Sequence, residues 1–286
     1  MDLTDEIAKD ASCQDDPVSR GLLCSIPSNS YVFLDPTCRN CRFGELPTEL
    51  TGGRALIATD AGAQWVDVPI DPPARNRTMT QVHLKLDVSG QLSGKLTGEF
   101  TGAVARRVRQ ALSDHGATLE ERSQIVKTEI MGRDHGMNLR EPEITGRNQS
   151  DQPLQLRAKV ATNAPDLGEQ RYEISALALV GTPWSQPLRP SHRYPAILMA
   201  PAWVETAVSV RLPVGYTIQE TGVSKLIEPF AEYASGFAKH GRSLNFSRRL
   251  IIKEHILSTA QWRNFYSFIE RIKEIEAKGV TVGVRQ

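Results

Sequence analysis

This chain of 286 residues contains few aromatic side chains, and its positive and negative charges nearly balance. Phe, Trp and Tyr make up 6% of the sequence, which is low for a protein that stacks nucleic-acid bases or sugar rings on aromatic side chains. The 34 basic and 33 acidic residues leave a formal net charge of +1. This balance gives no reason to expect nucleic acid or an anionic membrane surface as a partner.

Long apolar runs are also missing. No stretch approaches the roughly 20 apolar residues that a membrane-spanning helix needs, so we expect no membrane span. The first six residues, MDLTDE, are acidic, whereas a signal peptide begins with a basic and then an apolar segment. A complete chain with this beginning would be cytoplasmic. The hydrophobic content of 40% argues against disorder, and the length predicts two domains plus a fragment.

The most informative motif lies at residues 31–47. Residues 31–37 read YVFLDPT, an apolar strand that ends in Asp35 and is stopped by Pro36. Residues 38–47 continue as CRNCRFGELP. The first part resembles the end of a transglutaminase-like core, where a strand delivers the acid of a Cys-His-Asp triad and Asp-Pro-Thr follows. The Phe-Gly-x-Leu-Pro sequence resembles bacterial proteins that carry such a core between two β-rich domains of unknown function.

This resemblance implies a role for Asp35 as the triad acid, which would orient the catalytic histidine. In the family the nucleophilic Cys and the His precede the Asp, yet only 34 residues precede Asp35 and none is His. The resemblance therefore implies the C-terminal part of such a protein, without its N-terminal β domain and without most of the core, including the catalytic Cys and His. It also implies a periplasmic location. The alternative role of Asp35 is structural, in which its side-chain oxygens brace the Asp-Pro-Thr turn.

Four cysteines lie within the first 41 residues: Cys13, Cys24, Cys38 and Cys41. Cys38-x-x-Cys41 has the spacing of a zinc-knuckle pair, but Cys13 and Cys24 do not form a second one. Three alternatives stay open for Cys38 and Cys41, namely a structural zinc site, a disulfide or close thiol pair, and two thiols in a surface loop. No motif pairs any of the six histidines with a cysteine. We expect neither a metal nor a cofactor.

Hydrophobic periodicity divides the rest of the chain. Residues 1–30 show no sustained period and are predicted to be irregular, and residues 31–69 contain three short strands. Alternation over 82–98 around Ser89-Gly90 predicts a β-hairpin, and Gly94 and Gly98 are predicted to be close-packing or bulge positions. A helical hairpin is expected from about Val104 to about Ile130, in which Arg106, Arg107 and Arg109 lie off the apolar stripe.

Further strands are expected up to residue 180 and again from Val204. They are separated by a proline-rich ordered loop over 181–195. A helix over 259–277 follows, with a capping box formed by Ser258 and Gln261. This helix should bury Trp262, Phe265 and Ile269 against the sheet that includes Val208, Val210 and Leu212.

Together these patterns predict a mainly β fold with a few helices and β-sandwich-like domains. The predicted domains are a truncated end of a transglutaminase-like core (1–58), a β domain with a helical hairpin insertion (59–165), and a C-terminal β-sandwich-like domain closed by a helix (166–286). The expected function is a non-catalytic accessory or interaction region of a periplasmic transglutaminase-like protein, with a protein or a cell-envelope polymer as partner. The alternative is the C-terminal part of a thiol peptidase, amidase or acyl-transferase whose Cys and His come from a separate or upstream polypeptide.

Overall fold

The structure is a computed structural model, and it describes residues 12–14, 22–26, 30–59, 62–115, 118–131, 136–184, 196–219 and 222–284. Of the proline-rich segment 181–195, which was predicted to be an ordered loop, residues 185–195 lie outside the described residues. The contacts divide the chain into two compact units, Met1–Asp71 and Pro72–Gln286. The described residues are mainly β with a few helices, which confirms the predicted fold class.

The first unit contains five described strands in two sheets. These strands are β1 (Ser12–Gln14), β2 (Leu22–Ile26), β3 (Ser30–Leu34), β4 (Arg54–Thr59) and β5 (Gly62–Asp67). Strands β1, β2 and β3 form one antiparallel sheet in that order, and β4 pairs with β5. The prediction that 1–30 is irregular is therefore wrong for β1 and β2. With three and five residues, these strands are too short to show an alternating pattern. In the sheet β1 pairs with β2, and β2 pairs with β3.

The second unit contains the larger sheet. Its described strands are β6 (Arg77–Leu86), β7 (Gln91–Phe100), β8 (Asn138–Thr145), β9 (Leu154–Asn163), β10 (Arg171–Ile174), β11 (Ala196–Leu198), β12 (Ala202–Arg211), β13 (Tyr216–Ile218), β14 (Val223–Glu228), β15 (Ala231–His240), β16 (Ser243–Ile252), β17 (Ile256–Ser258) and β18 (Val280–Val284). Eight of them form one sheet in the order β14-β15-β16-β12-β6-β7-β9-β8. Only β12 and β6 are parallel neighbours in it; the other pairs are antiparallel.

The β12–β6 pairing joins the two segments that were predicted as separate domains. Strand β6 belongs to the segment 59–165 and β12 to the segment 166–286, yet nine residue pairs of these strands lie in register within one sheet. The boundary between the two compact units of the chain lies after Asp71. The boundaries at 58 and 165 stay predictions about family domains.

The described helices are α1 (Gly102–His115), α2 (Leu119–Val126), which continues as a π-helical turn (Lys127–Met131), α3 (Ala176–Val180) and α4 (Thr259–Ala277), with short 3-10 helices at Thr48–Leu50 and Pro73–Arg75. The capping box predicted at the start of α4, with Ser258 and Gln261, is confirmed, and a second capping box, formed by Thr118 and Glu121, begins α2. No described helix is both long and apolar enough to cross a membrane.

One face of the large sheet is buried. Alternate residues of β6 and β7, such as Val82 and Leu96, pack with Val108 of α1 and with Val282 of the small sheet β10-β18-β13. A second sheet therefore covers part of this core and helices cover the rest. Arg109 of α1 was predicted off the apolar stripe but is buried, because its guanidinium donates to the carbonyls of the turn between β8 and β9.

Helix α4 packs on the same sheet against different strands. Trp262 and Phe265 are buried, as predicted, in a cluster with Phe230, Tyr233 and Leu250 around β15 and β16. The strand β12 residues that were predicted to face the helix, including Val208 and Val210, belong instead to the first core. Sequence periodicity identifies the buried stripe of a helix but not the strands that receive it.

Candidate functional site

Asp35 lies immediately after β3, and its side chain braces the turn that follows. Its Oδ1 accepts hydrogen bonds from the backbone N of Thr37 at 2.8 Å and from Thr37 Oγ1 at 2.7 Å. Its carbonyl oxygen accepts from the N of Cys38 at 3.1 Å. This is the Asx-type turn expected of an aspartate before proline. The geometry agrees with the structural alternative for Asp35, while its part in a triad stays untested.

Cys38 and Cys41 form a disulfide. Of the three alternatives, the structure therefore contains the disulfide within the Asp-Pro-Thr loop. A sulfur in a disulfide is neither a thiolate nucleophile nor a zinc ligand. Among the described residues no group of three or more His, Cys, Asp and Glu side chains is arranged to hold a metal ion.

The first unit, Met1–Asp71, contains no histidine in its sequence. Two of the six histidines, at positions 135 and 192, lie outside the described residues. His83 and His240 are exposed on strands of the second unit, and His115 ends α1. His255 is buried with its Nδ1 2.8 Å from the carbonyl oxygen of Met199. The described residues of each unit therefore assemble no Cys-His pair.

The face of the large sheet opposite the core contains a shallow groove of about 560 Å³. Its floor consists of small residues in register on neighbouring strands, Ala207 opposite Ser247 and Ser247 opposite Gly236. Arg249 and Glu205 also line it. A floor of this kind would admit an extended chain lying across the strands, but it provides no enclosed site for a small molecule.

Charged and aromatic groups meet beside this groove. Arg77 Nη2 lies 2.9 Å from Glu205 Oε2, and the guanidinium carbons of Arg77 and Arg249 lie 6.0 and 5.8 Å from the ring centroid of Trp203. Chiefly because Arg77 donates a hydrogen bond to it, the pKa of Glu205 is lowered, and the neighbouring positive charges lower it further.

A buried pair of opposite charges lies between the sheet and α4. Arg248 and Glu276 form an ion pair of 2.7 Å that is almost inaccessible to solvent, and Tyr233 donates a hydrogen bond to Glu276 Oε1 at 2.7 Å. Burial raises the pKa of Glu276, against the opposing effects of Arg248 and Tyr233. It raises the pKa of Tyr233 as well. This network lies between the sheet and α4, and both of its charged side chains are buried.

Comparisons with known proteins give one family match. Residues 180–282 match the model of a family described as a domain of unknown function with solved structure, DUF3858. This range begins at the end of α3 and ends in β18, so it includes both members of the buried ion pair, and it covers well under half of the chain. A comparison with curated proteins finds no match.

A solved structure is also similar to this chain. It is described as a "putative protease" from Parabacteroides distasonis ATCC 8503, at 9% sequence identity and a TM-score of 0.41. The match covers 92% of this chain and 35% of the other. The chain thus spans about a third of the length of that protein.

Sequence reasoning did not predict the groove or the groups beside it. Strand alternation indicates that residues such as Glu205 and Arg249 share an outer face, but it does not indicate which strands are neighbours. The groove depends on the order β15-β16-β12-β6, which includes a parallel pairing between strands far apart in the sequence. The buried ion pair of Arg248 and Glu276 was not predicted. The sequence pattern around a single charged residue is the same whether that residue is paired in the core or exposed to solvent.

Proposed function

We propose that this chain is a non-catalytic accessory or interaction region of a periplasmic transglutaminase-like protein. The proposal rests on the hydrogen bonding of Asp35, whose Oδ1 accepts two hydrogen bonds within its own turn. The two cysteines that follow it are joined in a disulfide. A triad needs a thiolate and an imidazole within direct hydrogen-bond reach of each other, and the unit that contains Asp35 has no histidine.

The exposed face of the large sheet in the second unit supports an interaction role. The face of the large sheet opposite the core presents many exposed side chains, and the groove on it is shallow. A protein or a cell-envelope polymer is the partner that such a surface suits. The match of residues 180–282 to a domain of unknown function is compatible with this role.

A second candidate function is the C-terminal part of a thiol enzyme, a peptidase, amidase or acyl-transferase completed by Cys and His from another polypeptide. It is favoured by the position of Asp35, which directly follows β3, because a triad acid emerges from a strand end in the family that the motif resembles. In that arrangement the hydrogen bonds to Thr37 would orient the carboxylate.

Turnover assays test the proposal directly. The purified chain should neither incorporate a primary amine into glutamine peptides nor hydrolyse peptide amides, and Asp35→Ala should leave the background rate unchanged. Turnover by the chain that disappears in Asp35→Ala would overturn the non-catalytic role. Reading the nucleotide sequence upstream of Met1 separates the two candidates, since a continuous frame that encodes a helix-opening Cys and a later His would favour the enzyme. Fractionation of cells that express the natural gene tests the periplasmic location.

A further inference from the structure

A row of positive charge crosses the open face of the large sheet. In the register of β6, β7, β9 and β8, His83 lies opposite Lys95, Lys95 opposite Lys159, and Lys159 opposite Arg140. All four side chains are exposed. Neighbouring strands are about 4.8 Å apart, so the row places the cations Lys95, Lys159 and Arg140 at successive steps across the sheet.

The rows on either side add to this charge. Lys85 and Arg211 are opposite each other in the next row, and Arg157 lies two residues before Lys159 on β9. We refer to the six cations of these three rows as the basic face: Lys85, Lys95, Arg140, Arg157, Lys159 and Arg211. Three carboxylates interact with or face them: Glu141, which pairs with Lys159 at 2.6 Å, Glu143, which is opposite Arg157, and Asp87, whose charge interacts with that of Lys85.

The surplus of three positive charges on the basic face, six cations against three carboxylates, contrasts with a net charge of +1 for the whole chain. Like charges directly opposite each other on neighbouring strands destabilise a sheet, and here Lys95, Lys159 and Arg140 are successive neighbours. Folding alone therefore gives no reason for this arrangement. An anionic ligand laid across the row would offset the repulsion.

The side chains around the basic face indicate which class of anion it would bind. In the described residues, the open-face positions of β6, β7, β8 and β9 carry no Phe, Tyr or Trp, so nucleic-acid bases and sugar rings have no aromatic surface on which to stack. Exposed Ser93, Thr97 and Gln81 lie among the cations instead. Hydroxyl and amide groups of this kind donate to and accept from peptide groups.

We propose that the basic face binds an extended, acidic polypeptide segment that lies across β6, β7, β9 and β8. The carboxylates of its Asp and Glu side chains pair with Lys95, Lys159 and Arg140, and its main chain bonds to the polar side chains between them. This inference rests on the interaction role proposed above and names its partner class. It is tested by binding rather than by turnover, so the two proposals can fail separately.

The test uses the whole chain and a fluorescein-labelled deca-glutamate peptide, with binding followed by fluorescence anisotropy. We expect saturable binding that weakens as ionic strength rises from about 0.01 to about 0.15 M, because the Debye length falls from about 30 to about 8 Å. Lys95→Gln and Arg140→Gln should each weaken binding about two- to fivefold, the range of an exposed ion pair.

Two further variants separate this site from general charge effects. Lys225→Gln removes an exposed lysine from β14, at the far edge of the same sheet, and should leave the affinity unchanged. Glu141→Gln removes the carboxylate that neutralises Lys159 and should strengthen binding. A purely structural role for these residues predicts no such opposite changes.

The proposal is overturned if the peptide shows no saturable binding at low ionic strength, or if Lys95→Gln and Lys225→Gln bind it equally. If heparin or a single-stranded DNA oligonucleotide of matched charge displaces the peptide at lower concentration than unlabelled deca-glutamate does, the assignment to a polypeptide partner is wrong. Thermal unfolding shows whether each variant is folded. If Lys95→Gln does not fold, the affinity of Arg140→Gln is compared with that of Lys225→Gln instead.

Discussion

Arg248 of β16 and Glu276 in the last turn of α4 form a buried ion pair, with 2.7 Å between Nη1 and Oε2. Arg248 also donates to the carbonyl oxygen of Gly181 at 2.6 Å and to Thr206 Oγ1 at 3.2 Å. A carboxylate near a helix C-terminus is unfavourable in the field of the helix dipole, and burial adds a desolvation penalty. Arg248 compensates both, and it links the sheet, α4 and the segment after α3.

Removing one charge of this pair should destabilise the second unit strongly. Glu276→Gln leaves the Arg248 guanidinium buried without its counter-charge, so we expect a loss of about 3–5 kcal/mol in the free energy of unfolding. Urea denaturation measures this difference. The matched control is Glu274→Gln, an exposed position on the same helix, which should change stability by less than about 0.5 kcal/mol. A Glu276→Gln variant as stable as the control would show that the pair does not hold α4 to the sheet.

Trp262 should contribute to the same attachment through packing. Its ring is buried and lies 5.7 Å from the centroid of Phe265, and an amphipathic helix gains most of its stability from such contacts. Trp262→Ala should lower the free energy of unfolding by about 3–5 kcal/mol, whereas Arg263→Ala, an exposed neighbour, should cost less than about 0.5 kcal/mol. Chemical denaturation of both variants compares them. Equal effects would mean that the helix does not depend on its apolar stripe.

Of these two features of α4, the sequence predicts the buried Trp262 but not the buried ion pair. The period and the capping box of α4 were enough to predict its ends and its buried Trp262, because both signals are local. The role of Glu276 was not predictable, since its partner Arg248 lies on a strand whose place in the sheet depends on non-local pairing. The β6–β7 hairpin was predictable for the same reason as α4. The parallel pairing of β6 with β12, which creates the groove, was not.

The ion pair between Arg77 and Glu205 predicts a specific titration. The pKa of Glu205 in the folded chain is lowered from the ordinary value of 4.5. The stabilisation from this pair is therefore complete above the unfolded-state pKa and is lost as pH falls through the folded-state pKa. Arg77→Gln should raise the pKa of Glu205, and Arg249→Gln should raise it less, because the hydrogen bond from Arg77 is the larger cause.

Carboxyl carbon NMR titration of Glu205 measures these changes. Arg211→Gln, an exposed position near the other end of β12, serves as the control and should leave the pKa of Glu205 where it is. If Arg77→Gln left it there too, the lowered value would have to come from another group.

The Cys38–Cys41 disulfide predicts that this loop does not bind zinc. After purification without a chelator, elemental analysis should show no stoichiometric metal, and peptide mapping without reductant should recover the two residues in a linked fragment. One zinc per chain that is lost in Cys38→Ser would contradict this. The control is Ser30→Ala, outside the loop, which should leave the metal content unchanged.

Gly94 should be irreplaceable because another backbone occupies the space where its side chain would be. A Cβ built at this position on β7 would overlap the carbonyl oxygen of His83 on β6, so the strands would have to separate. The sequence predicted this as a close-packing or bulge position. Gly94→Ala should lower the free energy of unfolding by about 1–3 kcal/mol or more. Gly222→Ala is the control, since a Cβ there meets nothing within 4 Å. Thermal and urea unfolding compare the two variants, and equal stability would mean that the β6–β7 pairing differs from the one described.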